Sequence, residues 1–207
     1  MCSSGEKMRS VKGETMIQSK HDYGYYLACD RVALREKKAR PGLLGSPVWK
    51  YQRLLRKTEY YFNCQKSNPW KYFLKWRLLR AGLRLGFSIP LNVFGPGLSL
   101  AHPGPVIVNR TASVGANCRV QTCVTIGATD GEANSPRIGN NVFLGDGCKV
   151  IGDITVADDV QIGANAVVVK SILEAGTTWG GIPARKISDH SSEKNLVRAT
   201  ELVAKQK

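Results

Sequence analysis

Histidine and cysteine are the side chains of this chain best suited to acid–base, nucleophilic or metal chemistry. The three histidines stand at positions 21, 102 and 190, and the six cysteines at positions 2, 29, 64, 118, 123 and 148. No two histidines are spaced as a ligand pair, and Cys118 and Cys123 do not form a Cys-x-x-Cys pair, which argues against a structural zinc site. An imidazole exchanges protons readily near neutral pH, which suits acid–base chemistry, although a histidine such as His102, beside Pro103, also fits an ordinary surface loop.

An aliphatic residue returns at every sixth position from Val108 to Val168, and only position 132 breaks the series. The members are Val108, Val114, Val120, Ile126, Ile138, Leu144, Val150, Val156, Ile162 and Val168. A period of six matches neither an α-helix nor a single flat strand. It is typical of a hexapeptide repeat, in which each coil of a solenoid contains three short strands. The sequence therefore predicts a mainly β fold, a left-handed parallel β-helix preceded by an α-helical N-terminal region.

A second row of small or β-branched residues follows four positions after the first and is also expected to face inward. Its members are Cys118, Val124, Val142, Cys148, Ile154, Val160 and Ala166. Asn or Asp recurs where the coil must turn, as at Asn117, Asn141 and Asp159, because these types accept tight turns readily. We expect about five coils between Ile89 and Ile187, with one protruding loop at residues 128–137.

The positive charge is concentrated in the first part of the chain. The net charge is +14. Residues 1–88 hold 19 Lys or Arg and 6 Asp or Glu, whereas residues 89–207 hold 11 and 10. We therefore divide the chain into a basic helical region at 1–88, a solenoid domain at 89–187 and a C-terminal tail at 188–207. No apolar run has the length of a membrane span and no signal-peptide core is present, which predicts a cytoplasmic protein.

Three helices are expected before the solenoid. The first lies within residues 22–40 and ends at Pro41-Gly42, and the second runs from Lys50 to Asn63. The third runs from Pro69 to Gly86, with Pro69 in its first turn and Gly86 just past its end. The first twenty residues are polar and are expected to be mobile, and the tail is expected to form a short helix or an extended segment.

Three interpretations fit the basic helical region. Its helices could cap the open end of the solenoid, with their charges in solvent. They could dock on a membrane surface, with Trp70, Tyr72, Phe73 and Trp76 at the interface. They could bind nucleic acid, although no recognition motif accompanies the charge.

Several segments of the solenoid resemble the serine acetyltransferases. The sequence NVFGPGLSLAHPG at residues 92–104 is similar to the first coil of that family, and closest to the branch often linked to polysaccharide gene clusters. The sequences VTIGAT at 124–129, RIG at 137–139 and GGIPAR at 180–185 match as well. The resemblance covers about residues 86–187 and is most specific around His102, whereas the N-terminal third resembles the family only loosely.

This resemblance implies a homotrimer that binds acetyl-CoA between adjacent solenoids, and from the spacing of the histidines and cysteines we expect no metal. It places His102 at the family's catalytic histidine, a general base that takes the proton from an acceptor hydroxyl as that oxygen attacks the thioester. Backbone N–H groups would stabilise the oxyanion. The acetyl-CoA groove would be lined by Gly127, Ala128, Thr129, Gly145, Asp146, Gln161, Gly163 and Ala164, although each glycine also fits a plain solenoid corner. Lys170, Arg185 and Lys186 would meet the nucleotide phosphates.

The chain departs from the family where the family orients its histidine and holds serine. Phe87 replaces an aspartate fifteen residues before the histidine, and Ala101 replaces an aspartate next to it. Asn134-Ser135 replaces an Arg-His pair of the protruding loop. We therefore expect His102 to be oriented by a backbone carbonyl or by an asparagine, either Asn92 or Asn109.

Two acceptors remain open, L-serine and a sugar hydroxyl of a surface polysaccharide. Serine is a zwitterion that needs fixed charges, whereas a sugar needs neutral donors and acceptors. Asn92, Asn109, Asn134 and Ser135 offer the neutral kind, so we expect better activity on a glycosyl acceptor than on free serine. The alternative from another class is a non-catalytic trimeric hexapeptide scaffold, which CoA binding without turnover would favour.

Overall fold

The computed structural model describes residues 16–129 and 134–205, and its first elements are three helices. They are α1 (Lys20–Ala33), α2 (Pro47–Cys64) and α3 (Trp70–Leu85). Ser19 caps α1 by accepting a hydrogen bond from the Asp22 N–H, and Ser46 caps α2 by accepting one from the Trp49 N–H. Gly86 ends α3 with a φ of 81°, as the sequence predicts. None of the helices in these two ranges is long and apolar enough to cross a bilayer.

The expected end of the first helix at Pro41-Gly42 is wrong. Helix α1 stops at Ala33, and Arg35 takes a left-handed φ of 57°. The Glu36 N–H donates to the Arg31 carbonyl oxygen at 3.0 Å and the Arg35 N–H donates to the Val32 carbonyl oxygen at 3.0 Å, which is a helix end that a glycine usually provides. An arginine in this role gives no signal in the sequence.

Both ends of the described chain pack against the fold. Ile17 is fully buried and its carbonyl oxygen accepts a hydrogen bond from Asn63, so the expectation of mobility fails there, while residues 1–15 lie outside the described residues. A short 3-10 helix (Ser192–Asn195) precedes α4 (Ala199–Ala204) in the tail. Helix α4 packs against α1, with Ala199 and Val203 beside Cys29 and Ala33. The short helix expected in the tail is confirmed.

The strands form three sheets, which are the three faces of a parallel solenoid. The strands are β1 (Phe87–Ser88), β2 (Ser99–Leu100), β3 (Val106–Val108), β4 (Ser113–Val114), β5 (Arg119–Val120), β6 (Val124–Gly127), β7 (Arg137–Ile138), β8 (Phe143–Leu144), β9 (Lys149–Ile151), β10 (Thr155–Val156), β11 (Gln161–Ile162), β12 (Val167–Val168), β13 (Thr178–Gly180) and β14 (Arg185–Ser188). Sheet 1 is β1-β3-β6-β9-β12, sheet 2 is β4-β7-β10, and sheet 3 is β2-β5-β8-β11-β13, with β14 antiparallel to β13. Five successive parallel strands of sheet 3, from β2 to β13, lie within residues 89–187 and confirm the expectation of about five coils.

The six-residue rows fill the interior of the solenoid. The aliphatic residues of the first row are at most 5% exposed and those of the second row at most 6% exposed. Stacking them in successive coils removes a continuous apolar column from water. Burial also raises the pKa of the Cys148 thiol to about 12, which fits its interpretation as a small hydrophobic residue.

One corner of the solenoid carries a ladder of polar side chains. Asn117, Asn141 and Asp159 have left-handed φ values of 57°, 55° and 60°. Asn117 Nδ2 donates to Asn141 Oδ1 at 2.8 Å, and Asn141 Nδ2 donates to Asp159 Oδ1 at 3.0 Å. From the tail, Arg198 donates to Asp159 and the Thr200 N–H donates to Asn117. The tail therefore completes the hydrogen bonds of this corner.

Helix α2 covers the open end of the first coil. Strand β2 is the outermost described strand of sheet 3, so one side of its backbone needs other partners. Gln52 Nε2 donates to the Leu98 carbonyl oxygen at 2.8 Å, and the Leu100 N–H donates to Gln52 Oε1 at 3.0 Å. Arg56 donates to the Phe94 carbonyl oxygen at 2.8 Å. Helix α2 therefore caps the open end of the solenoid, as the first of the three interpretations predicts.

Candidate active site

His102 lies in the loop between β2 and β3, where the chain passes from sheet 3 to sheet 1. The Ala101 N–H donates to the Val120 carbonyl oxygen at 2.9 Å, and the Gly104 N–H donates to the Leu85 carbonyl oxygen at 2.8 Å. These two bonds fix both ends of the loop, while the His102 side chain is exposed. A substrate can therefore approach an imidazole that stands on a fixed backbone.

The end of α3 supports the same loop. The Val106 N–H donates to the Gly86 carbonyl oxygen at 3.0 Å. A Cβ atom on Gly86 would lie 2.9 Å from the Gly104 carbonyl carbon, and the φ of 81° also favours glycine. The helical cap and the His102 loop are thus one packed unit.

Among the described residues of this single chain, no side chain forms a hydrogen bond with the His102 imidazole. Phe87, at the position of the family's aspartate, is a buried ring whose centroid lies 4.9 Å from that of Tyr51. Asn63 Nδ2 donates to Asn92 Oδ1 at 2.9 Å, and Asn92 Nδ2 donates to Asn63 Oδ1 at 3.0 Å. The Asn92 amide therefore joins α2 to the first coil.

The other asparagine expected near the substrate, Asn109, holds the base of the protruding loop. Its Oδ1 accepts from the Thr111 N–H at 2.9 Å and from Ser135 Oγ at 3.1 Å, and Ser135 is only 3% exposed. The Thr129 N–H donates to the Asn134 carbonyl oxygen at 3.2 Å, which closes the loop. Residues 130–133 of the expected loop lie outside the described residues.

Four of the expected groove residues share the corner of His102. Gly145, Asp146, Gly163 and Ala164 lie where later coils pass from sheet 3 to sheet 1. Thr122, at this corner in the intervening coil, donates its hydroxyl to Asp146 Oδ1. Coils are spaced about 4.8 Å apart, so this row forms one continuous edge. We call the corner segments 101–105, 121–123, 145–148 and 163–166 the His102 edge.

The other expected groove residues lie elsewhere. Gly127, Ala128 and Thr129 stand at the far end of β6, and Lys170 follows β12 on the same side. We call the corner segments 127–129 and 169–171 the opposite edge of sheet 1. Strand β6 has four residues and spans about 13 Å, so this width of sheet separates the two edges. Gln161 lies in β11 of sheet 3.

The three basic residues expected to meet phosphates do come together. Lys170, Arg185 and Lys186 line one cleft of about 370 Å³. Lys186 Nζ also pairs with Asp189 at 2.5 Å and with Glu174 at 2.6 Å, and the hydrogen bonds to these carboxylates raise the pKa of Lys186. Lys170 and Arg185 are therefore better placed than Lys186 to attract an anion.

A larger cleft lies away from these residues. It has a volume of about 510 Å³ and lies against sheet 2, beside Ser113, Ile138 and Thr200. It contains no residue that the sequence analysis assigns to the site. In residues 16–129 and 134–205, no three His, Cys, Asp or Glu side chains form a group that could hold a metal ion.

Sequence reasoning missed Gln52, whose amide supports the backbone just before His102. Val48, Gln52 and Leu55 are all buried and lie on one face of α2. The buried side of α2 also carries Arg56 and Glu59, so polar residues at the spacing of its apolar residues were the available signal, because a buried amide needs hydrogen-bond partners.

Comparisons with known proteins place this arrangement in a family. The family model described as bacterial transferase hexapeptide (six repeats) matches residues 135–170. The serine acetyltransferase of Helicobacter pylori strain J99 is 32% identical over 151 residues, which cover 72% of this chain and 82% of that protein. Among solved structures, the serine acetyltransferase of Brucella abortus strain S19 is 26% identical with a TM-score of 0.66, and the match covers 84% of this chain and 72% of that one.

A structure of a serine acetyltransferase in complex with CoA is similar to a comparable extent, at 25% identity and a TM-score of 0.65, with 82% of this chain and 72% of that chain covered. The match to the Helicobacter pylori protein, at 151 residues, is longer than the solenoid, so it also includes sequence outside the hexapeptide repeat. Likeness that covers most of both chains is more than a shared repeat produces, and the chain belongs to the serine acetyltransferase family of acyltransferases.

Proposed function

We propose that this protein is an acetyl-CoA-dependent O-acetyltransferase that acetylates L-serine, with His102 as the general base. The observation that carries the proposal is the exposed imidazole of His102 on a loop held at both ends. His102 takes the proton of the acceptor hydroxyl as its oxygen attacks the thioester carbonyl carbon. The C–S bond then breaks, and the departing thiolate receives the proton from the imidazolium. Backbone N–H groups of the His102 edge would stabilise the oxyanion.

We further propose that a second copy of the chain completes the site in a homotrimer of left-handed solenoids. The residues assigned to the acetyl-CoA groove lie on two edges separated by sheet 1. A neighbouring solenoid that brings its opposite edge against the His102 edge would unite them in one groove. The group that orients His102 would then come from the neighbour, because Asn92 and Asn109 bond within the chain.

In this arrangement the described part of the basic region, residues 16–88, forms the cap, residues 89–187 carry the site and residues 188–205 close one corner. The cleft of Lys170, Arg185 and Lys186 would receive the phosphates of acetyl-CoA. The glycines along both edges would let an extended ligand approach the backbone. We place the reaction in the cytoplasm.

Two observations bear on the identity of the acceptor, and they favour different acceptors. The relatives are serine acetyltransferases, and this similarity favours L-serine as the acceptor. The sequence analysis, in contrast, favours a sugar hydroxyl. The uncharged residues Ala101, Asn134 and Ser135 favour a sugar hydroxyl, because they supply no formal charge for a zwitterion. A glycosyl acceptor is therefore the second candidate.

Acetyl-CoA-dependent release of CoA thiol tests the function, with L-serine and a panel of free and nucleotide sugars as acceptors. The proposal predicts that L-serine gives the highest kcat/KM. A sugar that exceeds L-serine would establish the second candidate. Binding of acetyl-CoA without turnover on any acceptor would identify a non-catalytic scaffold and overturn the proposal.

A further inference from the structure

Helix α3 has two apolar faces, and the protein buries only one of them. Leu74, Leu78 and Gly82 are buried against the fold. A Cβ atom on Gly82 would lie 2.5 Å from the Phe87 carbonyl oxygen, so this face is in close contact with the start of the solenoid. Ala81 and Leu85 are partly buried against the same core, whereas the large apolar side chains on the rest of α3 are exposed.

The exposed side chains form a regular stripe. Tyr72, Trp76, Leu79 and Leu83 are 65%, 54%, 61% and 72% exposed. Their spacing of four, three and four residues places them along one side of a helix. At 100° per residue, this side points away from the buried face. The outward stripe, defined as these four residues, is therefore a solvent-facing apolar surface about three turns long.

Basic residues border the outward stripe on both sides. By helical geometry Lys75 lies on one side, and Arg80 and Arg84 lie on the other. The Arg80 guanidinium lies 5.7 Å from the Trp76 ring centroid, so cation and aromatic face are already paired. The sequence from residue 60 to residue 129 contains no Asp or Glu. No carboxylate of this segment therefore neutralises the basic borders.

We propose that the outward stripe of α3 docks the protein on an anionic membrane surface. A helix lying in the interface buries its apolar side chains about 5–10 Å deep, with Trp and Tyr near the headgroups and Lys and Arg beside lipid phosphates. Helix α3 carries an apolar stripe between two basic borders, so its side chains supply each of these contacts. This inference does not depend on the proposed acetyl transfer.

The charge around the outward stripe favours a membrane over the other partners that could bind there. A second copy of α3 would bring like charges together, and residues 60–129 offer no carboxylate to pair with them. A nucleic acid would contact the basic borders and stack bases on Tyr72 and Trp76, but it would leave Leu79 and Leu83 in water. An anionic bilayer satisfies both the charges and the apolar stripe.

Sedimentation of the full-length protein with vesicles tests the proposal. Vesicles of phosphatidylcholine alone are compared with vesicles that contain about one third phosphatidylglycerol, at low and at physiological salt. The proposal predicts binding to the anionic vesicles, weakened by salt, and a blue shift of tryptophan emission that brominated lipids quench. Two double variants of exposed residues probe the charged borders and the apolar stripe separately: Lys75→Glu with Arg80→Glu, and Trp76→Ser with Leu83→Ser.

Each double variant should lower the vesicle partition coefficient at least about 10²-fold while thermal unfolding stays unchanged. The charge-matched control is Lys194→Glu with Lys205→Glu in the exposed part of the tail, which should bind as the native protein does. Absence of binding at low salt would overturn the proposal, as would equal losses in the control. If the double variant Trp76→Ser with Leu83→Ser has a different sedimenting mass from the native protein in the absence of vesicles, the stripe binds a second copy of the chain, and the membrane proposal is wrong.

Discussion

Gln52 and Leu100 are joined by a hydrogen bond that takes the place of a strand. The Leu100 N–H donates to Gln52 Oε1 at 3.0 Å, and the same amide donates through Nε2 to the Leu98 carbonyl oxygen at 2.8 Å. One side chain thus meets a donor and an acceptor on the free side of β2, as a neighbouring strand would. His102 follows two residues later, so the helical cap fixes the start of its loop.

Replacing this amide should disturb both stability and turnover. In Gln52→Leu the two backbone groups lose their partners in a buried place, and each such loss costs about 1–3 kcal/mol. We expect a lower free energy of unfolding, and a lower kcat with little change in the KM for acetyl-CoA. Urea unfolding and steady-state kinetics measure both, with the same substitution at the exposed Gln65 as the control. A native free energy of unfolding and a native kcat in Gln52→Leu would show that the amide supports neither the fold nor the loop of His102.

Asp30 and Arg56 form an ion pair with both side chains 0% exposed and Arg56 Nε at 2.8 Å from Asp30 Oδ2. Asp30 Oδ1 also accepts from the Gly97 and Leu98 N–H groups at 2.9 Å. Asp30→Ala leaves a buried guanidinium with one carboxylate fewer, and we expect a loss of about 3–5 kcal/mol in unfolding free energy.

The matched control for this prediction is Asp153→Ala. Asp153 pairs with Arg137 at 2.7 Å, but the side chains are 53% and 47% exposed, so the expected loss is only about 0–1 kcal/mol. Equal effects of the two substitutions in urea unfolding would contradict the importance given to the buried pair.

Thiol reactivity should distinguish the cysteines of the solenoid. Burial raises the pKa of Cys118 and raises that of Cys148 to about 12, so at pH 8 the thiolate fraction of Cys148 is about 10⁻⁴. Cys123 is exposed. In a Cys2→Ser background, an aromatic disulfide reagent should modify Cys123 promptly and reach Cys118 and Cys148 only after unfolding in urea. Prompt modification of either buried cysteine, located by peptide mass, would contradict the packing of the second inward row.

Complementation between two inactive variants tests the site between subunits. We expect His102→Ala to remove the base, and Thr129→Trp to block the opposite edge while leaving His102 intact. Co-expressed with different affinity tags, the two should form mixed trimers that regain a fraction of native turnover, because one interface then combines two native edges. Mixed trimers that stay inactive, or activity in a stable monomer, would contradict a site shared by two chains.

The sequence predicts the solenoid well because its repeat is local. The row from Val108 to Val168 follows from one inward position in every six, and the end of α3 follows from Gly86. The early end of α1 could not be predicted, because Arg35 adopts its left-handed φ only in the folded context. The bond of Thr200 to Asn117, and that of Gln52 to Leu100, join positions far apart in the chain, which periodicity does not report.

The residue types of the candidate site come from the resemblance to the family, and its layout could not be predicted in the same way. The resemblance marks His102, Lys170 and Arg185, and the structure places the last two in one cleft. Gly127 and Gly145 lie on different edges of sheet 1. This placement depends on where each coil turns, and the loop between β6 and β7 interrupts the six-residue repeat from which the turns would be counted. The bond of Asn92 to Asn63 likewise depends on how α2 meets the first coil.

The kcat/KM for L-serine, measured by thiol release for the native protein and for His102→Ala, tests the central claim most directly. The account predicts a native value in the ordinary enzyme range, above about 10⁴ M⁻¹s⁻¹. It predicts a fall of about 10²–10⁴-fold in His102→Ala, with acetyl-CoA affinity and thermal unfolding nearly unchanged, because the side chain is exposed. Native activity in His102→Ala would contradict the account and leave His102 an ordinary residue of a surface loop.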